Sequence, residues 1–223
     1  MRPKPPRGGR GAGNLGAAES VPRPVSVLPD SFVRGVLIPD HFHDRAQLIY
    51  AVQGTMTVTA DAVLWILPPS HALWVPPGVV HQIRMRGPTE MRSLYIQPGH
   101  APRAMDACEV LFVTPLLREL IARAIELPAL YDQSGAGGRL MRLILDEIAA
   151  LPPEPLGLPM PRDQRLRRLC DLVLREPALS DPVGKLGAGV GLSARSVIRL
   201  FPTSSAVGDT IGGKIRSPTP SGT

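Results

Sequence analysis

Between Val25 and about Gln97 the chain is a series of short apolar runs, QLIYAVQ, TMTVTA, VLWIL, ALWVP, HQIRM and SLYIQ. They are cut at close intervals by Gly54, Pro68-Pro69, Pro76-Pro77-Gly78 and Gly87-Pro88. Each run suits a strand and is too short for a stable helix, and the prolines and glycines between runs stop either from continuing. Many short strands joined by tight turns specify a β-barrel or sandwich for this region. Tyr50, Trp65 and Trp74 fall inside the runs. They are expected to fill the core or wall a pocket, since aromatic rings are the usual filling of a small barrel.

Within that region a few polar residues recur at a spacing that carries chemistry. Gly35 is followed after five residues by His41-x-His43, after three more by Gln47 and after six by Gly54; later, Ser70 is followed after five by Pro76-x-Gly78 and after two by His81. On an extended strand residues i and i+2 share a face, so His41 and His43 point the same way and a hairpin partner brings His81 toward them. Imidazoles gathered in this manner make a metal or ligand site. The paired spacing resembles the two motifs of the cupin superfamily, with Gln47 where metal-binding cupins carry glutamate and Ser70 where they carry glycine. The resemblance implies that His41, His43, Gln47 and His81 surround one divalent ion. Gln47 offers an amide oxygen without a charge, which leaves a 2+ ion less well compensated. The alternatives are histidines satisfied by backbone hydrogen bonds, or a pocket for an organic ligand with no ion in it. His71 and His100 lie outside both motifs and are expected at the surface.

Beyond the strand region the period changes. TPLLRELIARAIEL, from Thr114 to Leu127, places Leu117, Leu120, Ile121 and Ala124 at helical spacing, with Thr114 as N-cap and Pro115 in the first turn. GRLMRLILDEIAAL, from Gly138 to Leu151, repeats the pattern with Leu140, Ile144 and Ile148. These two helices either cover the barrel or pair with a second copy in a homodimer. LPPEPLGLPMP then holds five prolines and is expected to be an extended spacer. After it, RDQRLRRLCDLVLREP sets Leu166, Leu169, Cys170 and Val173 on one helical stripe. SDPVGKLGAGVGLSARSVIRLF follows, with a short helix, a turn at Gly191 and a helix capped by Ser193, which is a helix-turn-helix pattern. With Val197 and Phe201 inward, Arg195, Ser196 and Arg199 occupy the exposed face, where arginine can read guanine or hold phosphate.

Charge divides the chain in the same places. Residues 1–24 hold five Arg/Lys against one Glu, residues 25–160 ten against thirteen acids, and residues 161–223 ten against five, for a net charge of +6. Basic ends suit a nucleic-acid partner, although solvated charge alone gives the same count. Residues 1–24 are rich in Pro, Gly and Arg and are expected to be a disordered basic tail. No apolar stretch is long and unbroken enough to span a bilayer and no secretory signal is expected, so the chain reads as cytoplasmic. Cys108 and Cys170 form no metal or redox spacing and are expected to be free thiols.

Segment by segment, HFHDRAQLIYAVQGTMTVT, ALWVPPGVVHQIRM, TPLLRELIARAIELPALYD and PRDQRLRRLCDLVL resemble the AraC-type transcription factors that carry an N-terminal cupin sensor. The expected fold is α+β: a disordered tail (1–24), a cupin barrel (25–100), a helical hairpin (101–151), a linker (152–161), a partial all-α helix-turn-helix module (162–201) and a disordered tail (202–223). The resemblance implies a DNA-binding regulator, not an enzyme, whose partners are promoter DNA and a small-molecule or metal effector. It stops at Phe201, short of the second helix-turn-helix that members carry, and the Gly- and Pro-rich remainder reads as truncated or frameshifted sequence with weakened DNA binding. Gly184, Gly187 and Gly189 each weaken the preceding helix by about 1 kcal/mol relative to alanine. Two other readings stand beside this one: a cupin metalloenzyme, such as a dioxygenase or isomerase, and a ligand-binding or dimerising fragment without DNA binding.

Overall fold

The computed structural model describes residues 15–102, 106–161, 163–175 and 181–200. The chain divides into two compact units, 1–61 with 65–157 and 62–64 with 158–223.

The first unit opens with the short helix α1 (Leu15–Ser20) and continues through β1 (Val25–Phe32), β2 (Leu37–His41), β3 (Ala46–Gln53), β4 (Met56–Ala60), β5 (Val63–Leu67, of which Val63 and Leu64 fall in the second unit), β6 (His71–Val75), β7 (His81–Met85), β8 (Thr89–Ile96) and β9 (Glu109–Phe112). Helices α2 (Pro115–Ile125) and α3 (Ala136–Ala150) and the two-residue strand β10 (Pro153–Glu154) complete it. One sheet has the order β1-β8-β3-β6-β9-β10, with antiparallel ladders throughout. In the other, β5, β4, β7 and β2 are successive neighbours, and β7 pairs antiparallel with both β4 and β2.

Burial along β3 shows why its sequence is apolar on both faces around Gln47. All six residues from Ala46 to Ala51 are buried, because the six-stranded sheet is covered on both faces. Ala46, Leu48 and Tyr50 join Ala72, Trp74, Leu94, Ile96 and Leu111 in a core closed by Leu117, Ile121 and Ala124 of α2 and Met141, Ile144 and Ile148 of α3. Gln47 and Ile49 point the opposite way, to the interior between the sheets. The two helices therefore cover the barrel. Helix α2 starts at the Thr114-Pro115 pair, where Thr114 Oγ1 accepts from Leu117 N at 3.1 Å.

Three segments differ from the sequence expectation. Residues 15–24, assigned to a disordered tail, form α1 and a tethered strand entry: Ser26 Oγ donates to Ala18 O at 2.6 Å, Arg45 donates to Val21 O and Arg23 O, and Arg23 Nε donates to Tyr131 O at 2.7 Å. Backbone carbonyls do the anchoring there, so low hydrophobicity gave no sign of order. The 101–151 segment is not helical throughout, since Glu109–Phe112 extends the sheet beside β6. The proline-rich linker is partly strand as well: Pro153 and Glu154 pair with Leu111 and Val110, an edge position that proline tolerates. His71, expected at the surface, is partly buried and bonds to Glu154 at 2.9 Å. Residues 1–14 and 201–223, including Phe201, lie outside the described residues.

In the second unit Val63 and Leu64 pair with Pro159 and Leu158 of β11 (Leu158–Pro159). Helices α4 (Gln164–Arg175), α5 (Val183–Ala188) and α6 (Ala194–Leu200) follow. Leu166, Leu169 and Cys170 of α4 meet Leu192 and Val197 in a small buried cluster flanked by Val183, Leu186 and Leu200. Gly187 lies where α5 crosses the turn into α6; a Cβ there would stand 2.7 Å from Leu192 O and 3.0 Å from Val197 Cγ2. A residue that looks like a helix defect in the sequence is what allows the two segments to approach. Among the described residues, no helix is long and apolar enough to cross a membrane.

Candidate functional site

Four elements of the barrel bring the motif residues together. His41 ends β2 and pairs in register with His81, the first residue of β7. His43 lies two residues past β2, off the strand, in contrast to the sequence expectation of a shared strand face. The turn at Pro76-Pro77-Gly78 holds it there: Gly78, at φ +77°, donates its N–H to His43 O at 2.8 Å. Gln47 enters from β3, opposite Tyr95 of β8. The ring centroids of His41 and His81 are 4.2 Å apart, those of His41 and His43 4.9 Å, and those of His43 and His81 5.4 Å. Ligand atoms of the three imidazoles all lie within 4.8 Å of one another.

Hydrogen bonds fix which nitrogen each ring presents. His41 Nδ1 bonds to Pro39 O at 2.7 Å, His81 Nδ1 to Val79 O at 3.0 Å and His43 Nδ1 to Glu19 Oε1 at 2.6 Å. Each acceptor is an oxygen, so Nδ1 carries the proton and the lone pair of the neutral ring resides on Nε2. All three Nε2 atoms are buried and without a partner. Gln47 Nε2 donates to Ser93 Oγ at 3.1 Å and to Tyr95 OH at 3.2 Å, which leaves Oε1 as the fourth buried atom without a partner at the site. Burial first, and then the neighbouring His41, lower the His81 pKa to about 3 against the opposing Val79 carbonyl. His41 is lowered chiefly by burial as well. Burial raises the Tyr95 phenol well above its ordinary range, so it stays protonated as a hydrogen-bonding group. Three imidazoles whose hydrogen bonds turn a buried, unpartnered Nε2 toward the site thus stand within 4.8 Å of one another, a donor type that suits a divalent transition ion.

Other expected site residues are placed elsewhere. Tyr50 and Trp74 are not pocket wall. Both belong to the core between the six-stranded sheet and α2 and α3, on the sheet face opposite Gln47. The period of two put them there, since each sits an odd number of residues from the inward positions. Trp65 is buried together with Leu67 while Ile66 between them is exposed, which directs Trp65 inward. In the second unit Arg195 and Arg199 are exposed on α6. Ser196 is half-buried, and its backbone N–H and hydroxyl are engaged by Ser193 Oγ at 3.1 and 2.9 Å in the helix cap. Sequence reasoning missed Ser93 and Tyr95, although their i, i+2 spacing in RSLYI gave a signal. It also missed Arg45 and Glu19, for which no local pattern exists.

Residues 33–147 match the AraC-like ligand binding domain. The chain belongs to that family. Its match to the HTH-type transcriptional regulator NimR of Escherichia coli strain K12 is 29% identical over 163 residues, covering 73% of this chain and 59% of the regulator's length. Among solved structures, the chain is similar to a cupin superfamily protein of Desulfitobacterium hafniense (25% identity, 33% of this chain and 67% of that one, TM-score 0.32). KdgF from Halomonas is another (26% identity, 33% and 71%, TM-score 0.32). In this member of the family the antiparallel sheets and their accompanying helices bring three histidines together.

Proposed function

We propose that this chain is the effector-sensing part of an AraC-type transcriptional regulator and that the sensed species binds through a divalent metal ion in the barrel. The observation that carries the metal reading is the group of three imidazoles whose ligand atoms lie within 4.8 Å of one another, each with a buried Nε2 that has no partner. Gln47, whose Oε1 is likewise buried without a partner, joins them through Tyr95, which it bonds and whose ring lies 5.0 Å from that of His43. Those residues would hold the ion, which would supply a Lewis-acidic centre for an oxygen- or nitrogen-bearing effector. The carbonyls of Pro39 and Val79 orient His41 and His81, and Ser93 with Tyr95 orients Gln47, so the donors are positioned before anything binds. The regulator reading is preferred to a metalloenzyme because the matched family is a ligand-binding domain and the matched relative a transcriptional regulator.

The DNA partner follows from the same relative and from α4–α6. Helices α5 and α6 flank a turn at Gly191 with φ +73°, Ser193 caps α6, and Arg195 and Arg199 stand exposed one turn apart, consistent with a helix-turn-helix whose α6 enters a major groove. Such a regulator acts in the cytoplasm, and a homodimer would present two such helices to DNA. Elemental analysis of purified protein, and of His43→Ala, tests the site: near-stoichiometric metal that His43→Ala removes supports it, and equal content in both overturns it. A duplex titration at physiological salt tests the partner. Selectivity for promoter over scrambled DNA that falls with Arg195→Ala and Arg199→Ala supports DNA reading, with each base-reading arginine worth about 1–3 kcal/mol. Equal binding to both duplexes would leave a sensor without sequence recognition.

A further inference from the structure

Three neutral imidazoles and one neutral amide would leave a divalent ion with its whole charge uncompensated by the barrel, because Gln47 brings no anion. Yet a carboxylate does reach the site, from outside the barrel. Glu19 of α1 accepts the Nδ1 proton of His43 at 2.6 Å, with the His43 side chain 5% exposed and the Glu19 side chain 31% exposed. Its placement is enforced on both sides. Ser26 bonds to Ala18 O, and the buried Arg45 bonds to the carbonyls of Val21 and Arg23, so the residues flanking Glu19 are fixed to the barrel independently of the histidine. The negative charge of Glu19 is also felt by His41 and Tyr95 within the site.

We infer that Glu19 is the charge-compensating carboxylate of the metal site, acting through His43 as a positioning residue and replacing from α1 the anion that Gln47 does not supply. The inference rests on the metal reading of the barrel. A carboxylate on the far nitrogen of an imidazole ligand raises the basicity of the bound nitrogen and holds the ring's tautomer, and loss of such a partner typically weakens metal binding by 10- to 100-fold. It also links metal to the N-terminal helix. If Glu19 docked on His43 strengthens the metal, bound metal must strengthen the docking of α1 by the same factor.

The test is Zn2+ titration of the full chain near neutral pH, read by calorimetry, with hydrogen exchange of residues 15–24 measured beside it. Glu19→Gln keeps an acceptor for His43 Nδ1 and removes only the charge. Its Kd for Zn2+ should rise about 10- to 100-fold. Gln47→Glu, which restores a direct anionic ligand, should recover near-original affinity in the Glu19→Gln background. Zn2+ should slow exchange of the 15–24 amides in the original protein and do so less in Glu19→Gln. An unchanged Kd in Glu19→Gln would show that Glu19 only anchors α1 and would overturn the inference, as would failure of Gln47→Glu to restore binding. If the original protein takes up no Zn2+, nor Ni2+, Co2+ or Fe2+ in its place, the metal reading itself falls and this inference with it.

Discussion

Among the described residues, the barrel unit buries eighteen hydrophobic residues in one continuous core between its six-stranded sheet and α2 and α3, whereas the C-terminal unit gathers five around α4, the turn and α6. In the barrel unit the six-stranded sheet packs one face against the helices and turns the other inward, and Gln47 of the candidate site is set into that inward face of β3. In the C-terminal unit the arginines that face solvent ride on α6, where, among the described residues, a serine cap, a buried valine and the close approach at Gly187 hold the helix. The first region can position polar atoms because packing has already determined where the backbone goes. The described contacts of the second are local, so single substitutions at them should matter in proportion to the contact they remove.

The largest expected effect breaks the comparison at its strongest point. Ile121 is fully buried between α2 and the sheet, so Ile121→Ala should cost the barrel unit about 2–5 kcal/mol in urea unfolding. A cost under about 1 kcal/mol would mean that the helices are not part of the barrel's core.

Acid should act on the inner layer next. His81 is neutral when folded, with its pKa lowered to about 3 by burial and by His41, against an ordinary value of 6.5. The unfolded chain therefore binds more protons between those values. The stability this site contributes is complete above about pH 6.5 and is lost as pH falls toward 3, on the order of 3 kcal/mol by pH 4 for metal-free protein. His41 adds in the same direction. Denaturation midpoints across that range, with and without His81→Gln, measure it; a flat profile would show that the site is open to water.

In the C-terminal unit, Gly187→Ala should cost roughly 1–3 kcal/mol by pushing Leu192 and Val197 off α5. Gly184→Ala should gain up to about 1 kcal/mol, because a Cβ there meets only Ala194 Cβ at an ordinary 3.7 Å. Circular dichroism melts of the two variants separate packing from propensity, and equal effects would refute the close-approach role. Smallest of all, Thr114→Ala removes the cap of α2 and should cost about 1 kcal/mol, visible as a small shift in the same unfolding curve as Ile121→Ala. No shift would mean that another group satisfies Leu117 N.

What could be read directly from the residues was whatever repeats or punctuates locally. The strands between Ala46 and Ile96 follow from short apolar runs and their proline and glycine stops, α2 from its Thr114-Pro115 start, and the convergence of His41, His43 and His81 from motif spacing. For Tyr50 and Trp74 the residues left core and pocket wall both open, because the runs LIYAV and ALWV are apolar on both faces and carry no alternation to say which side is which. Only the tertiary structure decided that. It alone also ordered residues 15–24, where carbonyl acceptors, not side-chain hydrophobicity, hold the chain, and it alone made a strand of Glu109–Phe112 and an edge strand of Pro153–Glu154. Glu19 stands twenty-four residues from His43, a pairing that depends on where α1 docks and leaves no mark in spacing or composition. Local order was set by local sequence, and the carboxylate beside the site by a contact that exists only once the barrel has closed.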